Sequence, residues 1–153
     1  MTNSKYSGAE LPLFALAQNW KSYLRRQLSG FISGRVLEVG AGTGATTLAL
    51  CRGDLKAWTA LEPDPDLVEQ IEMIPEKICG PVEFQIVTGT TESLNRQAES
   101  FDCILYIDVL EHIDDDAAEM TRAVSLLSAG GAIAAVAPAH DSLYSPFDAS
   151  IGH

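Results

Sequence analysis

Val36-Leu37-Glu38-Val39-Gly40-Ala41-Gly42-Thr43-Gly44-Ala45 is where the pattern of this chain changes. Upstream, from Leu11 to Phe31, large apolar residues recur at helical spacing. Leu13, Leu16, Trp20, Leu24, Leu28 and Phe31 predict one helix carrying them on one face, with Gly30 and Gly34 punctuating its end. Val36 to Val39 is instead a short apolar run. Glycines follow at alternate positions, and Ala45 to Cys51 is helix-forming. The stretch reads as a strand, a glycine turn and a helix.

The alternation continues downstream. Further strands are predicted over 57–61, 82–87, 101–107 and 132–137, with helices over 66–73 and 117–127 and a loop over 89–97. Asp114, Asp115 and Asp116 are placed to cap the last helix, and Gly130-Gly131 to break it. Strands alternating with helices imply an α/β fold, a Rossmann-like doubly wound parallel sheet of five strands. At 153 residues the chain has the size of one domain. An N-terminal helical segment, 1–32, would precede a ligand-binding Rossmann-like domain, 33–153. In such sheets ligands sit beyond the carboxyl ends of the strands, where strand order reverses. The residues to read are therefore those just after each strand.

Gly40, Ala41, Gly42 and Gly44 offer a tight turn and close backbone approach to a ligand. Together with Ala45 they fit the GxGxx(G/A) dinucleotide template as well as the glycine loop that binds S-adenosylmethionine (SAM). Glu62 ends the second strand, twenty residues past Gly42. A carboxylate there accepts from both hydroxyls of a ribose, which nicotinamide dinucleotides and SAM share. Glu38 separates the two. It lies two residues before Gly40 inside an apolar strand, where a neighbouring pyrophosphate would disfavour a carboxylate. The ammonium and sulfonium of SAM suit an acidic neighbourhood. Glu38 also has the simpler reading of tethering the glycine-loop backbone.

Four segments carry a family resemblance. Residues 36–44 resemble the first motif of class I SAM-dependent methyltransferases, and Leu61-Glu62-Pro63-Asp64 their second. Residues 101–113, with Ile107-Asp108-Val109-Leu110-Glu111-His112-Ile113 at the end, resemble the motif around the fourth strand. Leu126-Leu127-Ser128-Ala129-Gly130-Gly131 resembles the turn before the fifth. Within the family the chain is similar to a bacterial subgroup with a proline-alanine-histidine segment, here Pro138-Ala139-His140, leading to a glycine-histidine motif, here Gly152-His153. The resemblance implies SAM as cofactor. Gly40 to Gly44 would pass under its methionine part, with Glu62 and Pro63 at the ribose. Thr90 and Thr91 would flank the adenine, and Ile107 and Asp108 would lie beside the sulfonium. Relatives often carry an aspartate near Thr90, and this chain does not.

The resemblance also implies a sheet of seven strands, of which five are read here and the last two, an antiparallel pair, are missing. The fifth-strand edge would then invite self-association or pairing with another chain. Methyl transfer needs the acceptor held in line with the methyl group. SAM binding is thus the firmer expectation, and a non-catalytic SAM-binding fragment is the alternative. An NAD(P)-binding oxidoreductase is the remoter one. As general bases for the acceptor, His112 and His140 are the candidates, with Asp148 beside them; terminal His153 is not favoured. A packing role competes for His112 and a capping role for Asp108.

Composition sets outer limits. The formal net charge of -11 repels phosphate backbones, so nucleic acid is not an expected partner; it is the resemblance to the bacterial subgroup that implies a small-molecule acceptor, sugar- or lipid-linked. The longest apolar stretch is far too short for membrane insertion. Three cysteines without a CxxC predict reduced, packed thiols in a cytoplasmic protein and no metal site.

Overall fold

The structure, a computed structural model, describes residues 11–53, 55–73, 79–95, 100–138, 140, 142 and 144–146. The chain forms α1 (Leu11–Leu16), α2 (Gln18–Leu28), β1 (Arg35–Val39), α3 (Ala45–Leu50), β2 (Ala57–Glu62), α4 (Pro65–Glu72) and β3 (Glu83–Thr88). A short 3-10 turn (Thr91–Ser93) then leads to β4 (Phe101–Ile107), a second one (Leu110–His112), α5 (Asp116–Leu126) and β5 (Leu127–Val136). The five strands make one parallel sheet in the order β3-β2-β1-β4-β5. Strand order reverses between β1 and β4.

All six residues of β2 and four of five in β1 are buried. Such near-continuous apolar runs are what a parallel sheet covered on both faces requires. Alternate residues feed two cores. Val36, Trp58, Ala60 and Leu105 pack with Leu24, Leu28, Leu50 and Ile71, from α2, α3 and α4. Leu37, Val39, Leu61, Ile104 and Tyr106 pack with Ala123 and Leu126 of α5. The helix starts follow from capping chemistry. Asp64 accepts from Asp66 N (2.9 Å) with Pro65 in the first turn of α4, and Asp115 accepts from Ala118 N (2.9 Å) at the start of α5.

Three expectations change. The N-terminal helix is two helices, parted at Ala17, and its apolar residues do not share a face: Leu24 and Leu28 are buried, while Leu16, Trp20 and Phe31 are exposed. Steps of four residues advance about 40° beyond a full turn each, so Leu16 and Leu28 lie about 120° apart on a regular helix. Second, β5 begins at Leu127, ahead of the glycine pair. Its pairing with β4 jumps from Phe101–Leu127 to Cys103–Ala132 across a bulge. Gly130 has φ +83°, and a Cβ on Gly131 would stand 3.0 Å from the Phe101 carbonyl oxygen, so these glycines admit the bulge rather than end a helix. Third, Cys51 and Cys79 are joined as a disulfide, with Cα atoms 5.3 Å apart, while Cys103 stays free and buried. Cys51 closes α3 and Cys79 stands ahead of β3. The expectation of three separate thiols fails for this pair because the layering brings together residues 28 apart in sequence.

Gly34 enters β1 with φ +65°, and its carbonyl accepts from Lys56 N (2.8 Å), starting the β1–β2 ladder. The Asp102 carboxylate, which accepts from Arg35 N (2.8 Å), occupies the place a Cβ would take. Gly34→Ala is expected to lower stability in urea denaturation by about 1–3 kcal/mol. Ser33→Ala, at the exposed neighbour, should leave it unchanged. Equal midpoints for the two variants would contradict this account of the strand entry.

Candidate functional site

The carboxyl ends of β1, β2 and β3 meet at Glu62. Its side chain is buried, with 5% exposure. One carboxylate oxygen accepts from Gly42 N (2.8 Å) and the other from Asp64 N (2.9 Å). Its backbone carbonyl accepts from Gly89 N (3.0 Å). A single residue thus ties the glycine loop, its own turn and the loop after β3. Each carboxylate oxygen has two lone-pair directions, so capacity remains for a pair of ligand hydroxyls. Burial pushes the Glu62 carboxyl up; the Asp64 and Gly42 amides oppose this, and the nearby charge of Asp64 adds to it.

Gly40, Gly42 and Gly44 all have positive φ. Gly40 N and Ala41 N donate to Leu61 O (2.8 and 3.1 Å), which draws the loop over the end of β2. A Cβ on Gly40 would approach Val109 Cγ2 to 2.6 Å, so this glycine lets the segment after β4 close against the loop. At Gly42 a Cβ would find only Leu11 Cδ2, at 3.7 Å. Asp108, just after β4, is the non-glycine residue with positive φ (54°) among those described, a conformation aspartate tolerates. Its N–H donates to Val136 O (2.8 Å), joining the ends of β4 and β5. Ile107 and Asp108 are half-buried, and Pro63 and Thr90 are exposed.

Glu38 is 2% exposed. It accepts from Thr47 Oγ1 of α3 and from Trp58 Nε1 of β2 (3.0 Å). Its carboxylate therefore locks the helix after the glycine loop onto the sheet. Thr91 is 2% exposed and donates through Oγ1 to Glu119 of α5 (2.7 Å). Sequence reasoning did not anticipate Thr47, Trp58 or Glu119 in these roles. Trp58 is a diagonal neighbour of Glu38 on one sheet face, which only the strand register reveals. His112 is exposed at the end of the second 3-10 turn, and His140 is exposed beyond β5. Asp148 and His153 lie outside the described residues. Among the described residues no group of three or more His, Cys, Asp or Glu is placed to hold a metal ion, and no helix is long and apolar enough to cross a membrane.

A family model described as a methyltransferase domain matches residues 37–135. The chain belongs to that family, the class I SAM-dependent methyltransferases. It is 32% identical over 125 residues to a ubiquinone biosynthesis O-methyltransferase of Xylella fastidiosa (strain M23), covering 81% of this chain and 49% of that protein. The chain spans about half the length of the curated relatives it matches. The DhpI-SAM-HEP complex aligns with TM-score 0.66 and 23% identity over 90% of this chain and 61% of its own, a likeness of fold. The N-terminal domain of EvdMO1, in the presence of SAH and D-fucose, aligns with TM-score 0.60 and 25% identity, over 72% and 48%.

Within this methyltransferase fold, burial pushes the Glu38 carboxyl up to about 7; the Thr47 and Trp58 hydrogen bonds oppose this, and the charge of Glu62 adds to it. In the unfolded chain the same group titrates near 4.5. The folded state therefore holds a proton that the unfolded state has released between those values. The stability this confers is complete below the unfolded value and is lost as pH rises through the folded one, up to about 3 kcal/mol in all. Glu38→Gln keeps an acceptor for Trp58 and cannot ionise. Urea denaturation from about pH 5 to about pH 8 should show the wild-type chain losing more stability than Glu38→Gln. Parallel pH profiles would contradict this assignment.

Proposed function

We propose that this chain binds SAM across the ends of β1, β2 and β3 and serves transfer of its methyl group to a small-molecule acceptor. The observation that carries the reading is Glu62, a buried carboxylate held by Gly42 N and Asp64 N with acceptor capacity to spare. The residues present fit the cofactor. The open approach at Gly42 suits a ligand lying on the backbone, and the Glu62 carboxylate in a chain of net charge -11 suits a cationic one.

In this reading Gly40, Ala41, Gly42 and Gly44 carry the methionine part, and Glu62 and Pro63 hold the ribose. Thr90 and the backbone of Thr91 border the adenine, and Ile107 and Asp108 the sulfonium end. Glu38 acts from behind, through Thr47 and Trp58. The cofactor supplies a methyl group on a sulfonium that is already a good leaving group. The protein orients the acceptor, excludes water and takes a proton from it. His112 and His140 are the proposed proton acceptors. The curated relatives support an oxygen acceptor, and the EvdMO1 domain supports a sugar-borne one; a lipid-linked acceptor remains within the same proposal. We place the reaction in the cytoplasm, a placing that the Cys51–Cys79 disulfide does not favour. β5 is an edge of the described sheet, and its pairing with another strand, including one from a second copy, belongs to the proposal.

A second reading is cofactor binding without turnover by these residues alone. An acceptor screen separates it from the first.

Calorimetric titration of SAM and SAH into the folded chain tests both. Glu62→Ala removes charge-assisted bonds to the ribose, each worth about 1.5–3 kcal/mol, so affinity should fall at least about tenfold. Undiminished binding by Glu62→Ala, or binding of NAD in place of SAM, would overturn the assignment.

A further inference from the structure

Glu119 lies on α5, across the sheet from the glycine-loop helix, yet its carboxylate is buried, with 7% exposure. It collects three donors. Tyr106 OH of β4 donates to one oxygen (2.6 Å), and Thr91 Oγ1 (2.7 Å) and Arg122 Nη1 (3.1 Å) donate to the other. Arg122 in turn donates through Nη2 to Glu92 (2.8 Å), the residue after Thr91. The loop after β3 is thus held from α5 at two consecutive positions. It is held from the opposite side by Gly89 N on the Glu62 carbonyl (3.0 Å). Internally it is closed by Ser93 Oγ on the Thr90 carbonyl (2.6 Å). Thr90, exposed and extended, is suspended between the two anchors.

We infer that Glu119 is a positioning residue for loop 89–93 and, through that loop, sets selectivity for the base of the bound nucleoside. The inference rests on the cofactor reading above. β2 lies between β1 and β3 in the sheet. A nucleoside whose ribose sits at Glu62 has its 5′ substituent on one side and its base on the other. With the 5′ part over the glycine loop after β1, the base falls at the loop after β3. Discrimination between bases requires donors and acceptors fixed to within a fraction of an ångström, and past the Gly89 bond to the end of β2 this loop is fixed by side chains of α5. A buried carboxylate with every donor satisfied supplies that rigidity, and a half-satisfied one does not. The Thr91 hydroxyl is committed to Glu119, so selectivity comes from the loop backbone and Thr90.

The test compares SAH with its inosine analogue, S-inosylhomocysteine, in which a ring carbonyl replaces the adenine amino group. Both are titrated calorimetrically into wild-type chain, Glu119→Ala, Glu119→Gln, Thr91→Val and Tyr106→Phe. Amide hydrogen exchange of the ligand-free proteins is followed in parallel. Wild type is expected to prefer SAH. Glu119→Ala and Thr91→Val should reduce that preference at least fivefold and speed exchange at residues 90–94. Tyr106→Phe, which leaves one Glu119 oxygen without its donor, should lose part of it in the same direction, and Glu119→Gln, which keeps an acceptor for Thr91, should retain most of it. If Glu119→Ala does not fold, Thr91→Val alone carries the test. A merely structural role would weaken both ligands equally and speed exchange across the sheet, and that result overturns the inference. So does an unchanged preference in Thr91→Val, or a wild type with no preference. If wild type binds neither ligand, the cofactor reading fails. The positioning of the loop is then decided by exchange alone: selective loss of protection at 90–94 supports it, and unchanged protection refutes it.

Discussion

The hydrogen bond from Gly42 N to the Glu62 carboxylate joins the two strand ends on which the site is built. β1 and β2 are in register from Arg35–Ala57 to Val39–Leu61, so the glycine loop and Glu62 leave the sheet side by side. Leu61 O accepts from Gly40 N and Ala41 N, and the Glu62 side chain continues that ladder one step beyond the sheet. The positive-φ glycines follow from this. A loop that turns at once to meet the neighbouring strand needs backbone conformations that side chains resist. The Glu62 carbonyl then brings in Gly89 and with it the third loop.

Two buried glutamates divide the work. Both are pushed towards protonation by burial, and each is held by donors that favour its charged form. Glu38 has its donors from side chains of α3 and β2 and faces the core. Glu62 has its donors from backbone amides of the two turns it joins. The first is a fastening for the helix that follows the glycine loop; the second has free capacity for a ligand. A positively charged ligand next to Glu62 would favour its ionised form, which ties charge on the ligand to the protonation of the site.

The parallel sheet was legible because its signal is local. Apolar runs such as Val36 to Val39, glycines at alternate positions, and Asp64 and Asp115 ahead of helices each report a strand, a turn or a cap within a few residues. Periodicity read over a longer span misled. Leu16, Trp20, Leu24 and Leu28 look like one stripe, but fourfold spacing winds round a helix, and the break at Ala17 separates them further. The β5 bulge was hidden because Gly130-Gly131 reads equally as a helix end. The Cys51–Cys79 pair and the donors to Glu38 and Glu119 come from different elements, and no spacing in the chain announces them. The candidate residues of the glycine loop and of the turn at Glu62 were thus legible as local motifs, and the side chains that hold them in place were not.

The central claim is that one ligand spans the carboxyl ends of β1, β2 and β3. Titration of SAH into isotope-labelled chain, followed by amide chemical shifts, tests it most directly. The largest shifts are expected at Gly40 to Gly44, at Asp64 and at Gly89 to Thr91, saturating together with one affinity. Shifts confined to the opposite end of the sheet, around Ser33, Lys56 and Gly130, or two groups saturating with different affinities, would contradict it.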